Sequence, residues 1–444
     1  MISTDELKNR NRYLNKLISF QDTEPVKVIT GIRRCGKSSL LKLMIQHLLQ
    51  SGVSKKQIVS MNFESNEFIG MSSEALYQYV KDRVIEGQRL YIFLDEVQRI
   101  PAWENAVNAF RVDLDCDIYV TGSNSYLLSS EYATYLSGRY VEIKILPLSF
   151  REFLDFHKYE VRKITNGLIG DMFHISDQNG ESYQLSPLFN AYMRFGGMPG
   201  ISKNDLGQEN ASTMLNDIYN TVVMQDILQR KSIGHSQVTD IELLHLIVRF
   251  LADNIGNNVS ASSMANTLGN EGMLDTDKRT GKPSTHTVLS YIGTLRESFL
   301  FYPIKRFDIK GRQYLRTLGK YYIVDLGIRN FLLGFRERDR GHAIENLVYF
   351  ELLRRGYDVA VGKVGDLEID FIANSLKEKI YFQVTENMIN PEVRARELRP
   401  LQMIRDNYPK IVLSLDPGLD NDYDGIKSLN LIDWLLDDPA DQTY

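Results

Sequence analysis

The sequence predicts an α/β chain built on a parallel sheet, and three apolar runs predict it. VKVIT (Val26–Thr30) leads into the glycine-bracketed loop GIRRCGKSS (Gly31–Ser39), which opens a helical run to Gln50. A second run, Tyr91–Leu94, ends in the adjacent carboxylates Asp95 and Glu96. A third, Cys116–Val120, ends in the polar string TGSN. β-Branched apolar strands of this kind, each followed by a loop and a helical stretch, suit a sheet covered on both faces.

At 444 residues the chain exceeds one ordinary core, so several domains are expected. The parallel sheet belongs to residues 1–155. Residues 156–235 read as a helical linker or lid, with the polar stretch 155–190 as an insertion. Residues 236–335 read as a winged-helix-like domain, and 336–444 as a C-terminal α/β domain. The composition, 43% hydrophobic and 25% charged, is that of a globular protein. Cys35 and Cys116 have no metal spacing and give no disulfide framework. The N-terminus MISTDELKNRNRYL is charged, and no apolar run approaches the length of a membrane span. The expectation is a cytoplasmic protein without a membrane partner.

The loop fits G-x-x-x-x-G-K-[ST] with Gly31, Gly36, Lys37 and Ser38, in the strand–loop–helix context that the motif requires. Its backbone N–H groups and the helix N-terminus can wrap a phosphate. Lys37 is expected to reach the β- and γ-phosphates of ATP, and Ser38 to offer its hydroxyl to Mg²⁺. Arg34 and Ser39 complete the expected nucleotide contacts. Asp95 is the expected second magnesium residue, and Glu96 the group that orients or deprotonates the attacking water. Beyond the third strand, Ser123 is the first candidate to sense the γ-phosphate and Asn124 the second; an ordinary polar turn explains the string equally well. Arg139, after a Ser-Gly break, is a candidate to face a γ-phosphate in its own chain or in a neighbouring subunit; a surface ion pair is the plain alternative.

GIRRCGKSS, FLDEVQ, VTGSNS and LSGRYVEIKILPLSFREF together resemble a family of bacterial and archaeal AAA+-like ATPases that carry a C-terminal domain of unknown function. The likeness runs over nearly the whole chain and includes the paired glycines of NAYMRFGGMPG. It implies an AAA+-like P-loop fold and ATP binding, and little about the process served. It also leaves the oligomeric state open.

Helical patterns over Met214–Arg230, Ile241–Ala252, 260–269 and 282–300 precede a two-stranded pattern in FYPIKRFDIKGRQYLRTLGKYYIVD. The last three of these helices and the hairpin follow the order of a winged helix. From Lys278 to Lys320, ten Lys/Arg stand against Glu297 and Asp308, giving +8 locally in a chain of −5. Lys278, Arg279, Lys282, Arg296, Lys305, Arg306, Lys310, Arg312 and Arg316 are the candidates for phosphate contacts with duplex DNA. A protein partner on a charged, solvated face is the alternative.

The C-terminal pattern resembles the restriction-endonuclease-like fold. A helix carries Glu345, one strand Asp370, and the next KIYFQVT. Glu345 and Asp370 match that fold's acidic positions, but its Glu-x-Lys reads Gln383-Val384-Thr385. Gln383 lacks the charge a hard cation favours, and Thr385 cannot replace a lysine that activates water. A degenerate site is therefore expected, and an ATP-coupled nuclease is the least favoured reading.

Overall fold

The three apolar runs form neighbouring strands in the computed structural model, which describes residues 7–122, 138–166, 170–201, 208–222, 227, 238, 240–270, 282–416 and 421–437. The chain divides into two units. One holds residues 1–146 with 297–299 and 439–444; the other holds 147–296 and 300–438.

In the first unit, α1 (Asn11–Ser19), β1 (Val26–Thr30), α2 (Lys37–Gln50), β2 (Ile58–Asn62), α3 (Ser73–Lys81), β3 (Leu90–Asp95), α4 (Trp103–Asp113), β4 (Cys116–Gly122) and β5 (Tyr140–Lys144) follow in order. The strands lie β2-β3-β4-β1-β5, and every pair is parallel. All carboxyl ends therefore share one edge, where ligands of open α/β sheets bind. β1 and β3 are buried at every position, so they read as continuous apolar runs rather than alternating ones. On one face, Val28, Ile92, Leu94 and Val120 pack against Leu76 and Val80 of α3 and Val107 and Phe110 of α4. The polar residues of β1 are satisfied: buried Lys27 donates to Asp117 at 2.5 Å and to the Thr23 carbonyl at 2.8 Å, and buried Thr30 donates to Glu142 Oε1 at 2.5 Å.

The second unit opens with α5 (Phe150–Phe156), β6 (Glu160–Asn166), β7 (Gly170–Ser176), β8 (Ser182–Tyr183), α6 (Leu185–Phe195) and α7 (Gln208–Thr221). The stretch expected as an insertion or linker is thus a three-stranded antiparallel sheet, β6-β7-β8. Its sequence hides it because little of it is core: Ile164 and Met172 are half exposed, while Ile175 is buried.

Next come α8 (Ile241–Asp253), α9 (Ala261–Asn270), α10 (Thr285–Glu297), β9 (Phe301–Asp308), β10 (Gln313–Ile323), α11 (Leu326–Leu333), α12 (Arg340–Arg354), β11 (Asp358–Val364), β12 (Leu367–Asn374), β13 (Lys379–Val384), α13 (Pro391–Gln402), β14 (Lys410–Ser414), β15 (Asn421–Tyr423), β16 (Ile426–Asn430) and α14 (Leu431–Leu436). The three helices and the hairpin occur in the expected order. The hairpin is not a separate wing, however. β9 pairs in parallel with β11, making an eight-stranded sheet β10-β9-β11-β12-β13-β14-β16-β15. A domain boundary after residue 335 would cut through that sheet. Backbone pairing of residues 55 positions apart, such as Lys305 with Ala360, decides this, and no local pattern announces it. Among the described residues, no helix is long and apolar enough to cross a membrane.

Candidate nucleotide site

The loop after β1 owes its shape to two glycines. A Cβ on Gly31 would lie 2.3 Å from the Ile145 carbonyl oxygen, so only glycine lets the loop approach the chain leaving β5. Gly36, at φ +103°, turns the loop into the N-terminus of α2, whose first residue is Lys37. Arg10, buried ahead of α1, grips the loop from behind. Its Nη1 donates to the carbonyls of Cys35 at 3.1 Å and Leu146 at 2.9 Å. The Lys37 ammonium is buried and donates to the loop's own carbonyls, Gly31 at 3.0 Å and Ile32 at 3.2 Å. Phosphate oxygens, being charged, are stronger acceptors for it than these carbonyls. Arg34 and Ser39 are exposed beside the loop, and Ser38 is half-buried.

Asp95 closes β3, next to the loop. Thr121 at the end of β4 donates to Asp95 Oδ1 at 2.5 Å, and Asn62 Nδ2 donates to Oδ2 at 3.2 Å. Burial pushes the Asp95 carboxyl up, against the hydroxyl bonds from Thr121 and Ser38 that favour its charged form. Ser38 and Asp95 are therefore in contact, as a hydroxyl–carboxylate pair suited to magnesium, and a cation would offset the burial of that charge. Glu96 is buried in the left-handed conformation (φ 57°, ψ 47°), with its N–H donating to Thr121 Oγ1 at 2.9 Å. The Gln98 amide donates to its carboxylate.

Thr121 was not among the expected residues; Ser123 and Asn124, which were, lie outside the described residues. Arg139 needs correction as a group acting within its own chain. Its carbonyl accepts from Val26 N–H at 2.9 Å, at the amino end of β1, while the phosphate loop leaves the carboxyl end. The five residues of β1 separate them by roughly 16 Å, beyond the reach of an arginine side chain.

In the second unit, the basic stretch is less available than its count implies. Lys282, Arg296, Lys305, Lys310 and Arg312 are exposed. Lys278, Arg279 and the side chain of Arg316 lie outside the described residues. Arg306 is spent on Glu368, at 3.6 Å. Lys320 is buried, with Nζ 2.5 Å from Glu368 Oε1 and 3.5 Å from Glu345 Oε1.

That last contact brings the C-terminal candidates together. Glu345 of α12 also accepts from the Tyr322 hydroxyl. Asp370 of β12 accepts from Val384 N–H at 2.8 Å, and burial together with Glu345 raises its carboxyl well above the ordinary range. Gln383 donates to Glu397 Oε2 at 3.0 Å, and Thr385 Oγ1 to the Asn387 carbonyl at 3.4 Å. Among the described residues, no group of three or more His, Cys, Asp or Glu is arranged to hold a metal ion.

Residues 23–154 match the family described as AAA domain, and residues 186–339 match a domain of unknown function, DUF8612. The domain of unknown function that matches therefore lies in the middle of the chain, with residues 340–444 beyond it. An uncharacterised protein of Haemophilus influenzae is 38% identical over 430 residues, covering 96% of this chain and 98% of its own. An uncharacterised protein of Methanocaldococcus jannaschii is 27% identical, covering 94% and 88%. Among solved structures, a Walker-type ATPase of Pyrococcus abyssi matches at TM-score 0.45 and 16% identity, covering 74% of this chain and 97% of that one.

Proposed function

Because the chain belongs to a family of AAA-domain proteins found in bacteria and archaea, we propose that it is a magnesium-dependent ATPase whose turnover drives a conformational change. The observation that carries this reading is the junction of Thr121, Asp95 and Glu96 beside the phosphate loop. Lys37 and the loop N–H groups bind phosphate. Ser38 and Asp95 hold Mg²⁺, which when bound screens the charge of the phosphate oxygens. Glu96, oriented through its backbone by Thr121, positions the water that attacks the terminal phosphate. A switch that binds ATP with little turnover has no need of a water-positioning carboxylate, so Glu96 favours hydrolysis.

The client we propose is duplex DNA, supported by the exposed Lys282, Arg296, Lys305, Lys310 and Arg312. A protein client on the same face is the alternative. Nuclease chemistry at Glu345 and Asp370 is disfavoured, since Gln383 is engaged with the Glu397 carboxylate, Thr385 with the Asn387 carbonyl, and Lys320 already balances the acidic groups. The test is MgATP hydrolysis by the wild type and Lys37→Ala, with and without duplex and single-stranded DNA. Stimulation by duplex DNA that is lost in the variant supports the reading. An intact chain that neither binds nor hydrolyses MgATP overturns it, and hydrolysis indifferent to DNA transfers the client role to a protein.

A further inference from the structure

Two arginines beside the phosphate loop share one carboxylate. Glu64 Oε1 accepts from Arg33 Nη2 at 2.7 Å and from Arg99 Nη2 at 3.0 Å. Arg33 lies inside the loop, between Gly31 and Gly36. Arg99 ends the short turn Val97–Arg99 that follows Glu96. Glu64 itself is tied to the end of β3. The Phe63 N–H donates to the Asp95 carbonyl at 3.1 Å, and the Glu64 N–H to Asn62 Oδ1 at 2.8 Å, while Asn62 also holds the Asp95 side chain. One carboxylate thus links the loop that would bind phosphate to the turn that carries Glu96.

The link is built to be broken. The Glu64 and Arg99 side chains are 42% and 46% exposed, and an ion pair this open to water is weak, whereas Arg33, 16% exposed, forms the firmer arm. A phosphate oxygen is a doubly useful competitor, since guanidinium binds it through parallel hydrogen bonds. The expected arginine, Arg139, stands at the wrong end of the sheet for this task within the chain. We propose that Glu64 is a latch: it holds Arg33 and Arg99 when no terminal phosphate is present, and the γ-phosphate of ATP draws them off. The chain's own arginines then neutralise that phosphate, and ADP, lacking it, leaves the latch closed. This rests on the ATP-binding reading above.

The experiment is equilibrium binding of MgATP and MgADP to the full chain and to Arg33→Ala, Arg99→Ala and Glu64→Gln, with Arg33→Lys and Arg99→Lys as charge-keeping controls. Loss of either arginine should weaken MgATP by about 10-fold or more while leaving MgADP within about 3-fold. The lysine variants should recover part of that loss. Glu64→Gln should tighten MgATP selectively, because the arginines no longer have to be released. An ATP-to-ADP affinity ratio that stays put in all the variants overturns the latch while leaving ATP binding intact. A wild-type chain that binds neither nucleotide overturns the ATP reading, and the latch with it.

Discussion

The Thr121 hydroxyl donates to Asp95 Oδ1 at 2.5 Å, joining the ends of β4 and β3. Thr121 Oγ1 also accepts from the Glu96 N–H, so one side chain fixes both acidic residues of the site. It also braces Glu96 in a left-handed conformation that disfavours a residue with a Cβ by roughly 1–2 kcal/mol. Thr121→Val keeps the shape and removes both bonds. It should lower stability by about 1–3 kcal/mol in urea unfolding, because a buried N–H is left unmatched. ATP hydrolysis should fall about 10-fold or more, with nucleotide affinity within a few-fold, and Thr121→Ser should retain the rate. Unchanged hydrolysis in Thr121→Val would reduce Thr121 to a packing residue.

Lys320 should be a determinant of stability rather than of ligand binding. Burial disfavours its charge, but Glu345, Glu368 and Asp370 outweigh burial and hold its pKa above the ordinary value. Lys320→Met leaves Glu345 and Glu368 without their shared counter-charge and should lower stability by about 3–5 kcal/mol. Adding Glu345→Gln and Glu368→Gln to that variant should restore part of the loss. Denaturant unfolding of the single and triple variants checks this; a triple variant less stable than the single one would refute the charge argument.

These two residues also mark what the sequence could convey. The loop, Asp95 and Glu96 were legible because their chemistry is written in consecutive residues, with strand and helix patterns on either side. Thr121 is not, because it opens the polar string TGSN and nothing in that string says which of its hydroxyls turns back to the preceding strand. Lys320 enters the local charge count of +8 but not the candidates for phosphate contacts. Its partners come from α12 and β12, and nothing near it in sequence predicts burial. The hairpin β9–β10 was recognised as a hairpin, but its pairing with β11 is non-local. Arg139 is placed too far to act within its own chain for a reason of direction: the sequence sets it beside a strand but does not say at which end of β1 that strand begins.

The paired glycines of FGGMPG acquire a physical role. A Cβ on Gly196 would lie 2.1 Å from Asp325 Oδ1, and one on Gly327 would lie 2.1 Å from the Phe195 carbonyl oxygen. The turn after α6 and the start of α11 therefore interlock with no room for a methyl group. Gly196→Ala and Gly327→Ala should each lower stability by roughly 3 kcal/mol, from overpacking. Gly334 provides the comparison, with a similar φ of +76° but open space around it. Gly334→Ala should lose only the conformational part, about 1–3 kcal/mol, and less than Gly196→Ala, which adds the overlap with Asp325 to a similar backbone conformation. Equal losses at Gly196 and Gly334 in urea unfolding would show that backbone conformation, not the close approach to Asp325, governs the motif.

Asp325 sits inside that interlock and should make stability depend on pH. It caps α11 by accepting from Ile328 N–H at 3.2 Å and accepts from Gly197 N–H at 2.7 Å. Burial nonetheless raises its carboxyl to about 6, because backbone donors only partly replace the water lost. The sign follows from proton binding. The folded chain holds this proton more tightly than the unfolded chain, whose carboxyl keeps the ordinary value of 3.8. The contribution of Asp325 to stability is complete below pH 4 and is lost as pH rises through about 6, a change of roughly 3 kcal/mol. Asn at this position keeps an oxygen acceptor for the cap and has no charge to bury. The difference in unfolding free energy between Asp325→Asn and the wild type, measured from pH 4 to pH 7, should therefore shift in favour of the variant by that amount. A difference that stays level across this range would mean that the carboxylate is better solvated or paired than its buried position implies.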